Sequence, residues 1–398
     1  EPDLIVADEP TSALDVTVQM VILDKLAEIT RERGTAILLI THDLAVAAAR
    51  TDRVYAMRAG EIVEEGPSRR VLTAPTHEYT RTLVDAIPGR RRNQPARMPG
   101  VDGALSTTGS HAERGQYDSG ASGERGEARA DERTIGRSAL VAHELRKTFG
   151  KGRTAVTALD SVSVELAPGQ SLGVVGESGS GKTTLARVML GLTTADSGTV
   201  EAFGGSMARP SRERRRRVQP VFQNPHTSFD PMRTVGWSIL EPLRGLGGRT
   251  TRAARTADRR ARLTELMDAV GLDPARAERK PWELSGGQLQ RAAIARALSV
   301  DPDVLICDEA VSALDVTVQA TVLDLLERLR EERGLTLLFI THDLAVVRDL
   351  CDSVIVMKDG AIVERGATER VFDAPEHDYT RTLIEAIPDP WREFSAVA

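Results

Sequence analysis

Cysteine is nearly absent: Cys307 and Cys351 are the only two in 398 residues. A disulfide framework is therefore excluded. Both lie in apolar, strand-like or helical stretches and read as buried thiols in a reducing compartment. Long apolar runs are also missing. AILLI and LLFI are strand-sized and far short of the ~20 residues that span a bilayer. No basic segment leads into an apolar one, so no signal peptide is read. Excess positive charge is lacking too. A net charge of -6 argues against a nucleic-acid binder that works through bulk basicity. Aromatics are scarce at 4%, which by itself excludes nothing. The first residue is Glu1 rather than Met, and the expectation is a fragment of a longer protein.

What is present is ordinary for a globular protein: 41% hydrophobic and 28% charged residues, at a length that suggests two or three domains. The organisation is less ordinary. Residues 1–88 align on 301–388 without a gap, at an offset of 300, with 47 of 88 positions identical. SALDVTVQ recurs at 12–19 and 312–319, and THDLAV at 41–46 and 341–346. The front of the chain is a second copy of its back end. Between the copies, residues 89–138 are rich in Gly, Ser, Arg and Glu and poor in large apolar residues. They cannot bury enough surface to offset their chain entropy, and a flexible linker is expected.

From about 139 a complete domain begins. ALVAHELRKTFG alternates like an edge strand. TALDSVSVELAPGQSLGVVG supplies two more strands around a Pro-Gly turn. GLTLLFITHD is another strand, and SVIVMKDGAIVERG is a hairpin turning at Asp359-Gly360. Strands alternating with helical stretches imply a largely parallel sheet covered by helices.

GVVGESGSGKTTLARVML carries the clearest chemistry. Gly176, Gly181, Lys182 and Thr183 fit G-x-x-x-x-G-K-[ST] between an apolar strand and a helix. Glycines, with Ser178 and Gly179 inside the loop, let backbone N–H groups converge on phosphate oxygens. The helix that follows, with Thr184 in its first turn, points its N-terminus at the anion. Lys182 would reach the β- and γ-phosphates, and the Thr183 hydroxyl would ligate Mg²⁺. DVLICDEA, about 125 residues on, is the partner strand. Asp308 would hold Mg²⁺ through water, and Glu309 would polarise the attacking water.

LSGGQLQRAAIARAL (284–298), just before that strand, resembles the signature motif of ABC ATPases. Ser285 can cap the helix it opens, leaving the amides of Gly286 and Gly287 for an anion. The resemblance implies that Ser285, Gly286, Gly287 and Gln288 serve ATP held by an opposite domain, head to tail. VFQNP resembles the Q-loop, placing Gln223 near Mg²⁺ and the membrane-subunit contact. SALD ending at Asp315 resembles the D-loop, and ITHD places His342 as the switch histidine. Phe149 would stack on adenine, or is simply an edge-strand aromatic. The implied fold is α/β, a P-loop NTPase of ABC type: a parallel-sheet core with an antiparallel edge sheet and a helical subdomain, plus a partial second copy. HEYTRTLVDAIP (77–88) and HDYTRTLIEAIP (377–388) look like the tail of the oligopeptide/dipeptide import subfamily. There Glu78 and Asp378 stand where that subfamily has Pro. Two fused domains of this type resemble bacterial peptide and glutathione importers. Ala310 replaces the Pro usual after the catalytic Glu, which the first copy keeps as Pro10.

On this reading, residues 1–88 are the last third of a first ABC domain, carrying Asp8, Glu9, Asp15 and His42 but no phosphate loop, Q-loop or signature. Residues 139–398 form the complete domain, its tail from about 374. The implied cofactors are ATP and Mg²⁺. The implied partners are transmembrane permease subunits, an extracytoplasmic substrate-binding protein and a second ABC domain in this or another chain, with no nucleic acid, at the cytoplasmic face of the cell membrane. Three other readings stay open: a soluble two-domain ABC protein, such as a translation or repair factor, an inactive remnant, and complete domains that pair between chains. The basic run 211–217 reads as a solvated helix face. His77, His143 and His377 lack metal-ligand spacing and read as surface or packing residues.

Overall fold

The computed structural model of the chain describes residues 2–11, 16–88, 138–246, 254–312 and 314–387. Asp15, the tail beyond 387 and all of the expected linker except Ser138 lie outside them. Among the described residues, no helix is long and apolar enough to cross a membrane.

The first copy runs β1 (Leu4–Asp8), α1 (Val16–Arg33), β2 (Ala36–Ile40), α2 (Leu44–Arg50), β3 (Arg53–Arg58), β4 (Glu61–Pro67), α3 (Ser68–Thr73) and α4 (Glu78–Asp85). After it come β5 (Leu140–Phe149), β6 (Val156–Leu166), β7 (Ser171–Val175), α5 (Lys182–Met189), β8 (Ser197–Ala202) and β9 (Gly205–Ser206). Next are α6 (Arg212–Arg217), β10 (Val218–Phe222), α7 (Pro225–Ser228), α8 (Val235–Ile239), α9 (Glu241–Leu246), α10 (Ala254–Ala269) and α11 (Gly286–Leu298). The chain closes with β11 (Val304–Asp308), α12 (Val316–Arg333), β12 (Thr336–Ile340), α13 (Leu344–Leu350), β13 (Ser353–Lys358), β14 (Ala361–Ala367), α14 (Thr368–Asp373) and α15 (Asp378–Glu385).

The central sheet has the order β10-β11-β12-β7-β13-β14, parallel except for the β13–β14 hairpin. Strands β7, β11 and β12 are buried along their whole length, as continuous apolar runs in a parallel sheet must be. One face packs on α5 and a four-stranded antiparallel sheet of order β6-β5-β8-β9. Leu185 and Met189 of α5 are fully buried there, each worth about 1.5–3 kcal/mol. The other face packs on α12 and the helices around α11.

One sequence reading changes. The stretch 140–149 does not form an edge strand, because β5 pairs with β6 on one side and β8 on the other. Its second partner arrives nearly fifty residues later, after the phosphate loop and α5, so local alternation cannot reveal it. His77 and His377 are helix N-caps: each Nδ1 accepts the N–H of the tyrosine two residues on, at 3.1 and 3.0 Å. The acidic Glu78 and Asp378 that follow suit a helix N-terminus, where Pro would also fit.

The first copy repeats the elements of 301–388 but not their assembly. β1 pairs with β2 and β3 with β4, in the registers of β11–β12 and β13–β14, even to the irregularity at Ala56/Met57 and Val356/Met357. Between β12 and β13 the complete domain inserts β7. Among the described residues of 1–88 no strand takes that place, and their four strands form two separate pairs. The consequence is visible at matched positions. Ile40 is 46% exposed and Met57 58%, whereas Ile340 and Met357 are fully buried.

Candidate functional site

Three neighbouring parallel strands end at one edge of the central sheet. The phosphate loop follows β7, Asp308 and Glu309 close β11, and His342 lies two residues past β12. Ligands in open α/β sheets bind beyond the carboxyl ends of the strands, and the chemistry-bearing residues gather there.

The loop is shaped by close backbone approach. Gly181 has φ +102°, and a Cβ on it would lie 2.2 Å from the Ala158 carbonyl oxygen. Any other residue would push β6 away from the loop. Ser178 and Gly179 are exposed at its crown, and Thr184 is half-buried on α5. Lys182 is buried, and its Nζ donates to the Gly176 and Glu177 carbonyls, both at 2.7 Å. A phosphate would exchange those two carbonyls for stronger anionic acceptors. Phe149 ends β5, 47% exposed, opposite Val156 and so two residues along from Ala158.

The Thr183 hydroxyl donates to Asp308 Oδ1 at 3.2 Å. Burial raises the Asp308 carboxyl, with the Glu309 charge adding to it and Thr183 opposing it. A buried carboxylate beside a hydroxyl is a hard-oxygen donor pair, which fits Mg²⁺.

Glu309 stands between two partners. Gln223 Nε2 donates to its Oε2 at 2.6 Å, and His342 Nδ1 lies 3.7 Å from its Oε1. The latter is an ion-pair distance, too long for a hydrogen bond. Contact with His342 is the main cause that holds Glu309 below the ordinary carboxylate range, and contact with Glu309 raises the His342 imidazole. The structure thus brings Gln223, Asp308, Glu309, His342, Lys182 and Thr183 to one place. Gln223 points its amide nitrogen at Glu309, which sequence spacing does not reveal. The first copy keeps one part of this arrangement: His42 Nδ1 is 3.0 Å from Glu9 Oε1, with Asp8 ending β1 alongside.

The signature segment is built for exposure on a rigid base. Ser285 caps α11: its Oγ accepts the Gln288 N–H at 3.4 Å, and Gln288 Oε1 accepts the Ser285 N–H at 3.1 Å. This reciprocal box satisfies two helix donors. Gln288 Oε1 also accepts from Arg276 at 3.2 Å. Ser285 and Gly286 are exposed, while Gly287 is buried. A Cβ on Gly287 would sit 2.1 Å from Val318 Cγ1, so this glycine is required by packing against α12. Asp315 caps α12, its Oδ1 accepting from Val318 N at 3.0 Å and from the Thr317 hydroxyl at 2.7 Å. The arginines of α6 are partly tied down: Arg217 pairs with Asp303 at 2.6 Å, and Arg216 donates to the Val300 carbonyl.

The chain is similar to known proteins. Residues 159–312 match the ABC transporter family model. Residues 63–114 and 363–396 both match the model for the oligopeptide/dipeptide transporter C-terminal region. The chain is 42% identical over 406 residues to a glutathione import ATP-binding protein of Salmonella choleraesuis, covering 98% of this chain and 62% of the relative. It is 39% identical over 400 residues to the protein of that name from Escherichia coli K12, covering 97% and 61%. It thus spans less than two thirds of their length. Among solved structures, the ATP-binding cassette MJ0796, dimeric and bound to ADP and Pi, superposes with a TM-score of 0.53 at 29% identity. That match covers 57% of this chain and 98% of the cassette. The CbiO1 protein of Clostridium perfringens, part of an ABC transporter complex, gives 0.52 at 26% identity, covering 60% and 92%. The phosphate loop, acidic strand and capped signature helix thus lie in one ABC ATPase fold, within a chain that is similar to ABC transporter ATP-binding proteins and matches the oligopeptide/dipeptide C-terminal region twice.

Proposed function

We propose that residues 139–398 bind ATP with Mg²⁺ on Gly176–Thr184 and hydrolyse it, and that this drives a membrane permease importing oligopeptides, dipeptides or glutathione. The observation that carries the reading is the convergence of Gln223, Glu309 and His342 beside the Thr183–Asp308 pair. Lys182 and the loop amides hold the phosphates; Thr183 and Asp308 would hold Mg²⁺, which would supply positive charge beside the phosphates. Glu309, ionised because His342 favours its charged form, accepts a hydrogen bond from the attacking water. His342 and Gln223 fix the orientation of Glu309 and contact the γ-phosphate as it leaves.

Ser285, Gly286, Gly287 and Gln288 face an ATP bound by a second cassette, whose own signature would face Lys182. Residues 1–88 act as the last third of a first cassette. The unburied face of β1–β4 supports this, since its counterpart in the complete domain is packed. The partners are permease subunits at the cytoplasmic face of the membrane and an extracytoplasmic substrate-binding protein. The glutathione import named for the relatives, and the tail region matched twice, favour this class over a soluble ABC factor.

Head-to-tail pairing is tested by the specific hydrolysis rate as a function of chain concentration. A rate that rises with concentration means that the complete cassettes pair between chains. A concentration-independent rate well above that of Glu309→Gln contradicts the need for a second complete cassette.

A further inference from the structure

The tail segment reaches the phosphate loop. Tyr379, in the first turn of α15, is 7% exposed, and its hydroxyl accepts the N–H of Glu177 at 3.0 Å. The two residues are 202 positions apart. We propose that Tyr379 is a positioning residue for the nucleotide: through the Glu177 N–H it holds the first peptide of the phosphate loop in its binding shape. The inference rests on the ATP-binding reading given above.

That peptide is the one that matters to Lys182. The Gly176–Glu177 unit donates its N–H to Tyr379 and accepts from Lys182 Nζ on its carbonyl, at 2.7 Å. A hydrogen bond at one end of a peptide polarises the other and fixes its plane. Losing the phenol oxygen removes that acceptor from the Glu177 N–H and lets the loop's first turn rotate.

The tyrosine is itself held on a rigid support. Glu364 on β14 accepts the N–H groups of Glu376 and His377, at 2.9 and 3.0 Å. His377 caps α15, and Lys358 Nζ lies 4.6 Å from the centre of the Tyr379 ring. Leu383, one turn on, is buried in the core cluster. The support is therefore continuous from the sheet edge to the loop.

The first copy provides an internal control. Glu64 accepts the N–H groups of Thr76 and His77, at 3.0 Å each, and His77 caps α4 in the same way. Yet Tyr79 is only half-buried, beside Arg58 at 5.2 Å, in a copy that has no phosphate loop. The local motif is the same, and only Tyr379 meets the loop.

The test compares Tyr379→Phe and Tyr79→Phe in the full chain. A fluorescent N-methylanthraniloyl-ATP with Mg²⁺ is titrated against each, and the thermal midpoint is measured without nucleotide. Removing one neutral hydrogen bond predicts a roughly two- to tenfold weaker Kd for Tyr379→Phe. Tyr79→Phe should bind as the wild type does, and the Tyr379→Phe midpoint should fall by no more than a few degrees, the cost of one hydrogen bond. Equal affinity of Tyr379→Phe and wild type overturns the inference alone. So does an equal loss in Tyr79→Phe, or a Tyr379→Phe chain that has lost its cooperative thermal transition, where the weaker Kd reports unfolding. A wild type that binds no nucleotide overturns the ATP-binding reading as well.

Discussion

Glu309 sits where glutamate seldom does, at φ +51°, and its counterpart Glu9 at +42°. Left-handed backbone costs a non-glycine residue about 1–3 kcal/mol unless its surroundings fix it. Here the Glu309 N–H donates to the Ile340 carbonyl at 2.9 Å, and Glu9 repeats the bond to Ile40. That turn aims the carboxylate at Gln223 and His342. The raised His342 value adds stability below its ordinary 6.5, lost as pH rises through the raised value. The lowered Glu309 value adds stability above its ordinary 4.5, lost as pH falls through the lowered value. The charged pair is thus intact across at least pH 4.5–6.5. Glu309→Gln should move the His342 titration down, read by NMR of the imidazole ring, and an unmoved titration would contradict the pairing. Gly287→Ala should destabilise by about 1–3 kcal/mol in denaturant unfolding, because the new methyl meets Val318 inside a packed contact. An unchanged midpoint would mean that α11 and α12 shift apart freely.

Among elements, the repeat allows one residue type to be compared in two settings. Ile340→Ala empties a packed site and should cost about 2–5 kcal/mol. Ile40→Ala, at the same register but 46% exposed, should cost within about 0.5 kcal/mol. Comparable losses in chemical denaturation would mean that the β1–β2 face is covered after all. The elements also show what sequence reveals and what it hides. The phosphate loop, the acidic strand and the Ser285 cap are local patterns, each complete within about twenty residues, and each is legible in the sequence. The hairpin at Asp359-Gly360 is likewise local. The central place of β5, the packing demand on Gly287 and the Tyr379–Glu177 bond join segments far apart in the chain. No periodicity announces them. The capping role of His377 needs only neighbouring residues, but a lone histidine carries no distinctive spacing.

At the scale of the whole molecule, strand order puts the phosphate loop, the acidic strand and the switch histidine side by side, although they lie far apart in sequence. Among the described residues, the first copy repeats the acidic strand and its histidine without a strand in the place of β7. The central claim is that Glu309 is the group that makes bound ATP react with water. The most direct measurement is steady-state ATP hydrolysis by the full chain and by Glu309→Gln, with ATP binding measured on both. The account predicts unchanged binding and a hydrolysis rate lower by about a hundredfold or more in the variant. A variant that binds ATP and turns it over at the wild-type rate would contradict it.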